Sequence, residues 1–138
     1  MLEPDAGELI SMSTIMNYLH NFGEEIALVL IGGVNYYTGQ AFDLADITTQ
    51  AQNHGCRVGF DLAHAAGNLQ LNLHEWGVDF AVWCGYKYLN GGPGAPAGVF
   101  IHERHLGRTD IPRFEGWWGH DKSTRFQMPE NFDPLQTA

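Results

Sequence analysis

Ile26-Ala27-Leu28-Val29-Leu30-Ile31 runs without a polar residue and is closed by Gly32-Gly33. A run of that kind suits a strand buried on both faces, as in a parallel sheet. Parallel strands need crossover connections, and the segments that follow can supply them. Asp43 can cap a helix running to about Asn53, with His54-Gly55 as its stop. Arg57-Val58-Gly59-Phe60-Asp61 reads as the next short strand, ending in an acid. A helical turn around Asn72 to Trp76 leads to a strand at Asp79-Phe80-Ala81-Val82-Trp83-Cys84, and Ala97-Gly98-Val99-Phe100-Ile101 is a fourth strand candidate. Ahead of the first strand, Ile10, Ile15, Leu19 and Phe22 recur at roughly helical spacing, which predicts a helix from Ile10 to Asn21. Beyond His105 the pattern decays into Gly, Pro, Trp and polar residues, and no strong element is expected. Strands alternating with helices indicate an α/β layer architecture with a largely parallel sheet.

In such sheets the ligand crevice lies outside the carboxyl ends of the strands. Asp61 and Lys87 each fall just past a predicted strand end, so both are expected at one crevice. With 138 residues the chain can form one small domain with its own core. The formal net charge of −9 argues against nucleic acid and anionic membrane surfaces as partners, since both reward clustered Lys and Arg. No apolar run approaches the roughly 20 residues a membrane helix needs, and the acidic start, Met1-Leu2-Glu3-Pro4-Asp5, is unlike a secretory signal. Cys56 and Cys84 do not make a disulfide framework, so a reduced, cytoplasmic setting is expected. The chain opens within an ongoing helix–strand series and stops at Pro134-Leu135-Gln136-Thr137-Ala138 without a closing element. The expectation is a piece of a larger protein.

The chemistry centres on Trp83-Cys84-Gly85-Tyr86-Lys87-Tyr88-Leu89-Asn90-Gly91-Gly92. One lysine, in a chain with only 7 Lys+Arg, leaves an apolar run between two tyrosines. The residues alone leave two readings open. Lys87 is a Schiff-base lysine whose desolvation favours the neutral amine that attacks a carbonyl, or it snorkels from a strand end with its ammonium in water. Upstream, Gly59-Phe60-Asp61-Leu62-Ala63-His64 places a carboxylate at a strand end with an imidazole three residues on. Pyridoxal phosphate chemistry needs a lysine to hold the aldehyde and an acid to keep the pyridine nitrogen protonated. The separation, 87 − 61 = 26 residues, leaves room for one crossover between neighbouring strands. Taken alone, Asp61 reads as a helix cap or turn acid. Gly91-Gly92-Pro93-Gly94 reads either as an ordinary turn or as backbone passing close to the site. No metal site is expected: His64, His74, His102, His105 and His120 show no ligand spacing, and there is no Cys-x-x-Cys pair. Gly32-Gly33 lacks the dinucleotide fingerprint. Tyr36-Tyr37-Thr38-Gly39 is expected to shape the loop after the first strand, and Trp117-Trp118 reads as core or interface.

Several of these segments together resemble the kynureninases. They are Phe60-Asp61-Leu62-Ala63-His64, Trp76-Gly77-Val78-Asp79-Phe80-Ala81 and Tyr86-Lys87-Tyr88-Leu89-Asn90. Tyr36-Tyr37-Thr38-Gly39-Gln40, Gly116-Trp117-Trp118-Gly119-His120 and Ser123-Thr124-Arg125-Phe126 match in the same order, so the resemblance runs from about Ile26 to Met128. Kynureninases are similar to the class V aminotransferases. His64 and Tyr86 stand where the related cysteine desulfurases usually have Gln and His.

The resemblance implies a three-layer α/β fold with a mostly parallel sheet, part of an aspartate-aminotransferase-like (fold type I) large domain. On that basis residues 1–138 are a partial pyridoxal-phosphate-binding large domain that lacks an amino-terminal segment and a small carboxyl-terminal domain. It implies pyridoxal 5'-phosphate as cofactor. Lys87 would be the imine lysine and proton carrier, and Asp61 would pair with the pyridine nitrogen. His64 would lie beside Asp61. Tyr86 would bond the cofactor phosphate and help in proton transfer, and Trp117 would direct its indole N–H toward the phosphate region across a dimer interface. Gly32 falls where relatives often carry a small polar residue near the cofactor. The implied reaction hydrolyses L-kynurenine or 3-hydroxy-L-kynurenine to an anthranilate and L-alanine, a step of tryptophan catabolism and NAD biosynthesis, in a homodimer of the full-length enzyme. Another class V pyridoxal phosphate enzyme, such as a cysteine desulfurase or an aminotransferase, and a non-catalytic truncated chain stay open as alternatives.

Overall fold

Ser11 opens the first helix, α1 (Met12–Phe22). Its Oγ accepts from the Thr14 backbone N–H at 3.1 Å and so satisfies one donor that a helix start leaves unpaired. Ile15 and Leu19, one helical turn apart, are its buried stripe. The computed structural model describes residues 4, 9–108, 110 and 115–135. Strand β1 (Leu28–Gly32) follows α1. Asp43 then caps α2 (Leu44–Asn53) by accepting from the Asp46 N–H at 3.0 Å, and α2 buries Leu44, Ile47, Thr48 and Ala51. The remaining strands are β2 (Arg57–Asp61), β3 (Phe80–Trp83) and β4 (Gly98–Ile101). These elements lie where the sequence pattern placed them, within one or two residues.

The strands form one sheet in the order β1-β2-β3-β4. The first three are parallel, and β4 runs antiparallel to β3. This is the largely parallel α/β sheet expected from the alternation of elements. Phe60, Ile47, Leu62, Val58 and Val78 are fully buried at its centre. Val29, Ile31, Trp83 and Phe100 pack against the same cluster as Ile15 and Leu19 of α1 and Ile47 of α2.

The burial expected for the first strand differs in detail. Val29 and Ile31 face the helices, whereas Leu28 and Leu30 are 46% and 58% exposed. Among the described residues β1 borders the sheet, and both α-helices pack on one side of it. The opposite side presents Leu28, Leu30, Val82, Val99 and Ile101.

The chain divides into two compact units, with the boundary between His102 and Glu103. The sheet belongs to the first. The second is built from short 3-10 turns, Glu103–His105, Trp117–Gly119 and Arg125–Gln127. Arg125, buried, ties part of it together: Nη2 donates to the Trp118 carbonyl at 2.8 Å and to the His120 carbonyl at 2.9 Å. Its guanidinium also lies 4.5 Å from the Trp118 ring.

One buried acid sets the register of the first unit. Asp79 sits just ahead of β3, and its Oδ2 accepts from the Val58 N–H at 2.8 Å. In return its own N–H donates to the Val58 carbonyl at 3.0 Å. Gln52 of α2 donates to the same carboxylate at 3.4 Å, and Arg57 lies 3.6 Å away. Replacing Asp79 with Ala orphans the Val58 N–H and should cost about 1–3 kcal/mol. Asp79→Asn keeps an acceptor for the Val58 N–H, gives up the charge pairing with a largely exposed Arg57 and should cost less than Asp79→Ala, about 1 kcal/mol. Urea midpoints check both; an Asp79→Ala midpoint equal to wild type would contradict this role.

Candidate active site

The carboxyl ends of the three parallel strands lie level. Gly32 of β1 pairs with Asp61 of β2, and Asp61 pairs with Val82 of β3. A cavity of about 370 Å³ opens at that edge, within the roughly 300–1,000 Å³ range of small-molecule sites. Gly32, Asn35, Tyr36, Asp61, His64 and Lys87 line it, backed by Ile31, Val34 and Phe42. Gly32, Asp61, His64 and Lys87, singled out in the sequence, are thus brought to one cavity.

Asp61 carries both readings the sequence left open. Its Oδ1 accepts from the Ala63 N–H at 2.9 Å and so shapes the turn out of β2. The other oxygen remains for a donor in the cavity. His64, one residue beyond Ala63, meets the Tyr88 ring edge-on at 6.4 Å between centroids. A Cβ at Gly32 would meet no atom closer than the Val34 carbonyl oxygen at 3.4 Å, so the position has room for a small side chain.

Lys87 is held by the loop that leaves β3. The Asn90 N–H donates to the Lys87 carbonyl at 2.9 Å, and the Gly91 N–H donates to the Gly85 carbonyl at 2.9 Å. Gly85 has to be glycine, because a Cβ there would stand 2.3 Å from the Pro96 carbonyl oxygen. Gly91 likewise lies close to this crossing, with a Cβ 2.8 Å from the Gly85 carbonyl oxygen. Gly91 therefore closes the loop that presents the lysine.

The sequence left a desolvated amine and a solvated ammonium open for Lys87, and burial is not the leading influence on it. Its Nζ donates to Tyr86 Oη at 3.2 Å and to Cys84 Sγ at 3.4 Å. The hydrogen bond with Tyr86 raises the lysine above its ordinary value, partial burial pulls the other way, and the bond and charge of Cys84 add to the rise. Cys84 moves oppositely. Burial would lift its thiol, but the hydrogen bond and charge of Lys87, with help from Tyr86, hold it below the ordinary thiol value. Lys87 thus has a phenol and a sulfur partner.

Tyr86 reaches the site through Lys87 rather than by lining the cavity, and its ring is about half exposed (53%). Trp117 belongs to the second unit, where its Nε1 donates to the Arg125 carbonyl at 2.8 Å. The sequence reading passed over Asn35 and gave Cys84 no role at the site. Asn35 holds the loop after β1, its Oδ1 accepting from the Tyr37 and Thr38 N–H groups at 2.9 and 3.0 Å. Tyr36 and Tyr37, expected to shape that loop, are each 79% exposed, and Tyr36 lines the cavity. Cys84 looked isolated in sequence; its spacing of three from Lys87 across a glycine was the available signal. Among the described residues no group of three or more His, Cys, Asp or Glu gathers to hold a metal ion. Among the same residues no helix is long and apolar enough to cross a membrane.

Comparison with known proteins matches this arrangement to a family. The Aminotransferase class-V family matches residues 1–114. The chain is 61% identical over 138 residues to the kynureninase of Myxococcus xanthus, covering 99% of this chain and 32% of that protein. It is 58% identical over 129 residues to the kynureninase of Flavobacterium johnsoniae, covering 94% of this chain and 30% of that protein. The chain therefore spans about a third of the length of these curated relatives. Among solved structures it is similar to the Escherichia coli cysteine desulfurase CsdA, with a TM-score of 0.71 at 21% identity over 97% of this chain and 31% of that one. It is also similar to the Bacillus subtilis ureidoglycine–glyoxylate aminotransferase, with a TM-score of 0.64 at 21% identity over 75% of this chain and 26% of that one. These two share the fold. By its sequence, by its sheet and by the cavity at the carboxyl edge of that sheet, the chain belongs to the class V aminotransferase family of pyridoxal 5'-phosphate enzymes.

Proposed function

We propose that residues 1–138 are the cofactor-binding part of a kynureninase, which hydrolyses L-kynurenine or its 3-hydroxy form to an anthranilate and L-alanine. The observation that carries the proposal is that Asp61 and Lys87 line one cavity from neighbouring strands. Identity of 58–61% to two kynureninases, against 21% to the desulfurase and the aminotransferase, favours kynurenine cleavage over the reactions of those relatives.

The residues fit the cofactor. The donor set joins an amine and a carboxylate from adjacent strand ends, and the cavity has the volume of a small-molecule site. When bound, pyridoxal 5'-phosphate supplies an electron sink for the bonds at the substrate α-carbon. The protein supplies the rest. Asp61 would hold a proton on the pyridine nitrogen with the oxygen not used by Ala63. Lys87 Nζ would be the amine for the aldehyde and would carry the proton of the substrate α-carbon. Tyr86 Oη, 3.2 Å from that nitrogen, would pass a proton to or from it and donate to the phosphate. His64 stands beside Asp61 as a further polar wall of the cavity. Gly32 leaves room where a side chain would otherwise meet the ligand. In a homodimer, Trp117 would bring its indole N–H to the phosphate after releasing the Arg125 carbonyl. A reduced, cytoplasmic setting accords with two free cysteines.

Two outcomes test the reading. Mixing the protein with pyridoxal 5'-phosphate should give an absorbance band at the edge of the visible that borohydride fixes to the Lys87 peptide. Lys87→Ala should abolish both, and a band that persists in Lys87→Ala would contradict the assignment. Asp61→Asn should still take up cofactor while kynurenine turnover, followed by anthranilate fluorescence, falls by roughly 100-fold or more. A cofactor-loaded protein that desulfurates cysteine or transaminates glyoxylate but releases no anthranilate would replace kynureninase with one of those activities.

A further inference from the structure

The contact between Cys84 and Lys87 has no place in the reaction as described above. Three facts about it stand together. The sulfur lies 3.4 Å from Lys87 Nζ. It also lies 3.9 Å from the Ala63 carbonyl oxygen, on the turn that Asp61 holds. Finally, the loop from Gly85 to Gly91 is closed by its own hydrogen bond, and Gly85 packs so close to the Pro96 carbonyl oxygen that no side chain fits there. Cys84 is therefore fixed between the exit of β2, which carries the acid, and the exit of β3, which carries the amine. The other cysteine is different in kind: Cys56 is buried, donates to the Gly23 carbonyl at 3.4 Å, and is pushed up by burial.

We propose that Cys84 is a positioning residue for Lys87, its thiolate holding the ammonium at the cavity and taking the proton that Lys87 must lose when it condenses with the cofactor aldehyde. The inference rests on the cofactor reading given above for its second half only; the hydrogen bond from Lys87 to Cys84 is made in the protein without cofactor. The step balances without any further reagent. The ammonium gives one proton to the thiolate, the freed amine adds to the aldehyde carbon, a carbon–nitrogen double bond forms and one water leaves. Cys84 ends as a neutral thiol, which can then donate to the Ala63 carbonyl. The pair goes from one positive and one negative charge to none, so no uncompensated charge is left beside the new bond.

Several titratable groups surround the pair. Tyr86 bonds the lysine directly, Asp61 and His64 line the same cavity, and Tyr88 stands edge-on to His64. The direction of the shifts agrees with the geometry, with Lys87 raised and Cys84 lowered. The ion pair occupies the pH window between them. It is lost as pH falls through the thiol value, when the thiolate is protonated, and as pH rises through the lysine value, when the ammonium is not.

The test has two arms on the same 138-residue chain. In the first, without cofactor, iodoacetamide alkylation of Cys84 is followed against pH by peptide mass spectrometry, which separates it from Cys56. Lys87→Gln should move the midpoint of the Cys84 profile up by about one pH unit, slowing alkylation about tenfold at neutral pH, and Lys87→Arg should restore most of the shift. In the second arm, borohydride trapping of pyridoxal 5'-phosphate on Lys87 is followed against pH. Cys84→Ala and Cys84→Ser should both move that profile to lower pH by about one unit, because the amine loses the anion that keeps it protonated. A Cys84 profile that ignores Lys87→Gln overturns the ion pair. A trapping profile that ignores both Cys84 variants overturns its part in cofactor capture. A wild type that traps no cofactor while the first arm succeeds counts against the cofactor reading and leaves the ion pair supported.

Discussion

The reciprocal pairing of Asp79 with Val58 is the interaction on which the site depends. It joins the start of β3 to the start of β2 through a buried carboxylate and a backbone exchange. Strands anchored at one end in fixed register must also end in fixed register. Gly32, Asp61 and Val82 therefore fall in a row at the carboxyl edge, and the chain leaving β3 must turn there. Slippage by one residue would turn Asp61 to the other face of the sheet and carry it away from Lys87. A buried acid far from the chemistry thus decides whether the acid and the amine can meet over one ligand.

Electrostatics then refine what the backbone has placed. Asp61 and Lys87 each have local hydrogen-bond partners. Asp61 serves the Ala63 N–H with one oxygen, and Lys87 is shared between Tyr86 and Cys84. Such partners fix side-chain direction before a ligand arrives, which lowers the ordering cost of binding. Tyr86 and Cys84 thereby hold the Lys87 amine in place at the cavity.

Much of the fold was legible in sequence, for identifiable reasons. Asp43 and Gly55 bracket α2 because capping chemistry is local, and Arg57–Asp61 reads as a strand because Val58 and Phe60 alternate with Arg57, Gly59 and Asp61 at a period of two. The convergence of Asp61 and Lys87 followed from strand ends and a crossover of suitable length. Exposure was not legible. Leu28 and Leu30 belong to an unbroken apolar run, yet they lie open because which face a helix covers is a tertiary fact, absent from the run itself. The partners of Lys87 escaped for a similar reason. Its apolar flank in sequence suggested desolvation, while the chain folds a thiol and a phenol onto it through a turn that only Gly85 permits. Trp117 could be named from its motif, but its hydrogen bond to the Arg125 carbonyl depends on the second unit's turns.

The central claim is that Asp61 and Lys87 grasp opposite ends of one pyridine ring. The most direct measurement is the nitrogen-15 NMR shift of pyridoxal 5'-phosphate labelled at the ring nitrogen and bound to the protein. A pyridinium shift in wild type that moves to the neutral pyridine position in Asp61→Asn is the predicted result. A neutral ring in wild type, or a shift that Asp61→Asn leaves unchanged, would contradict it.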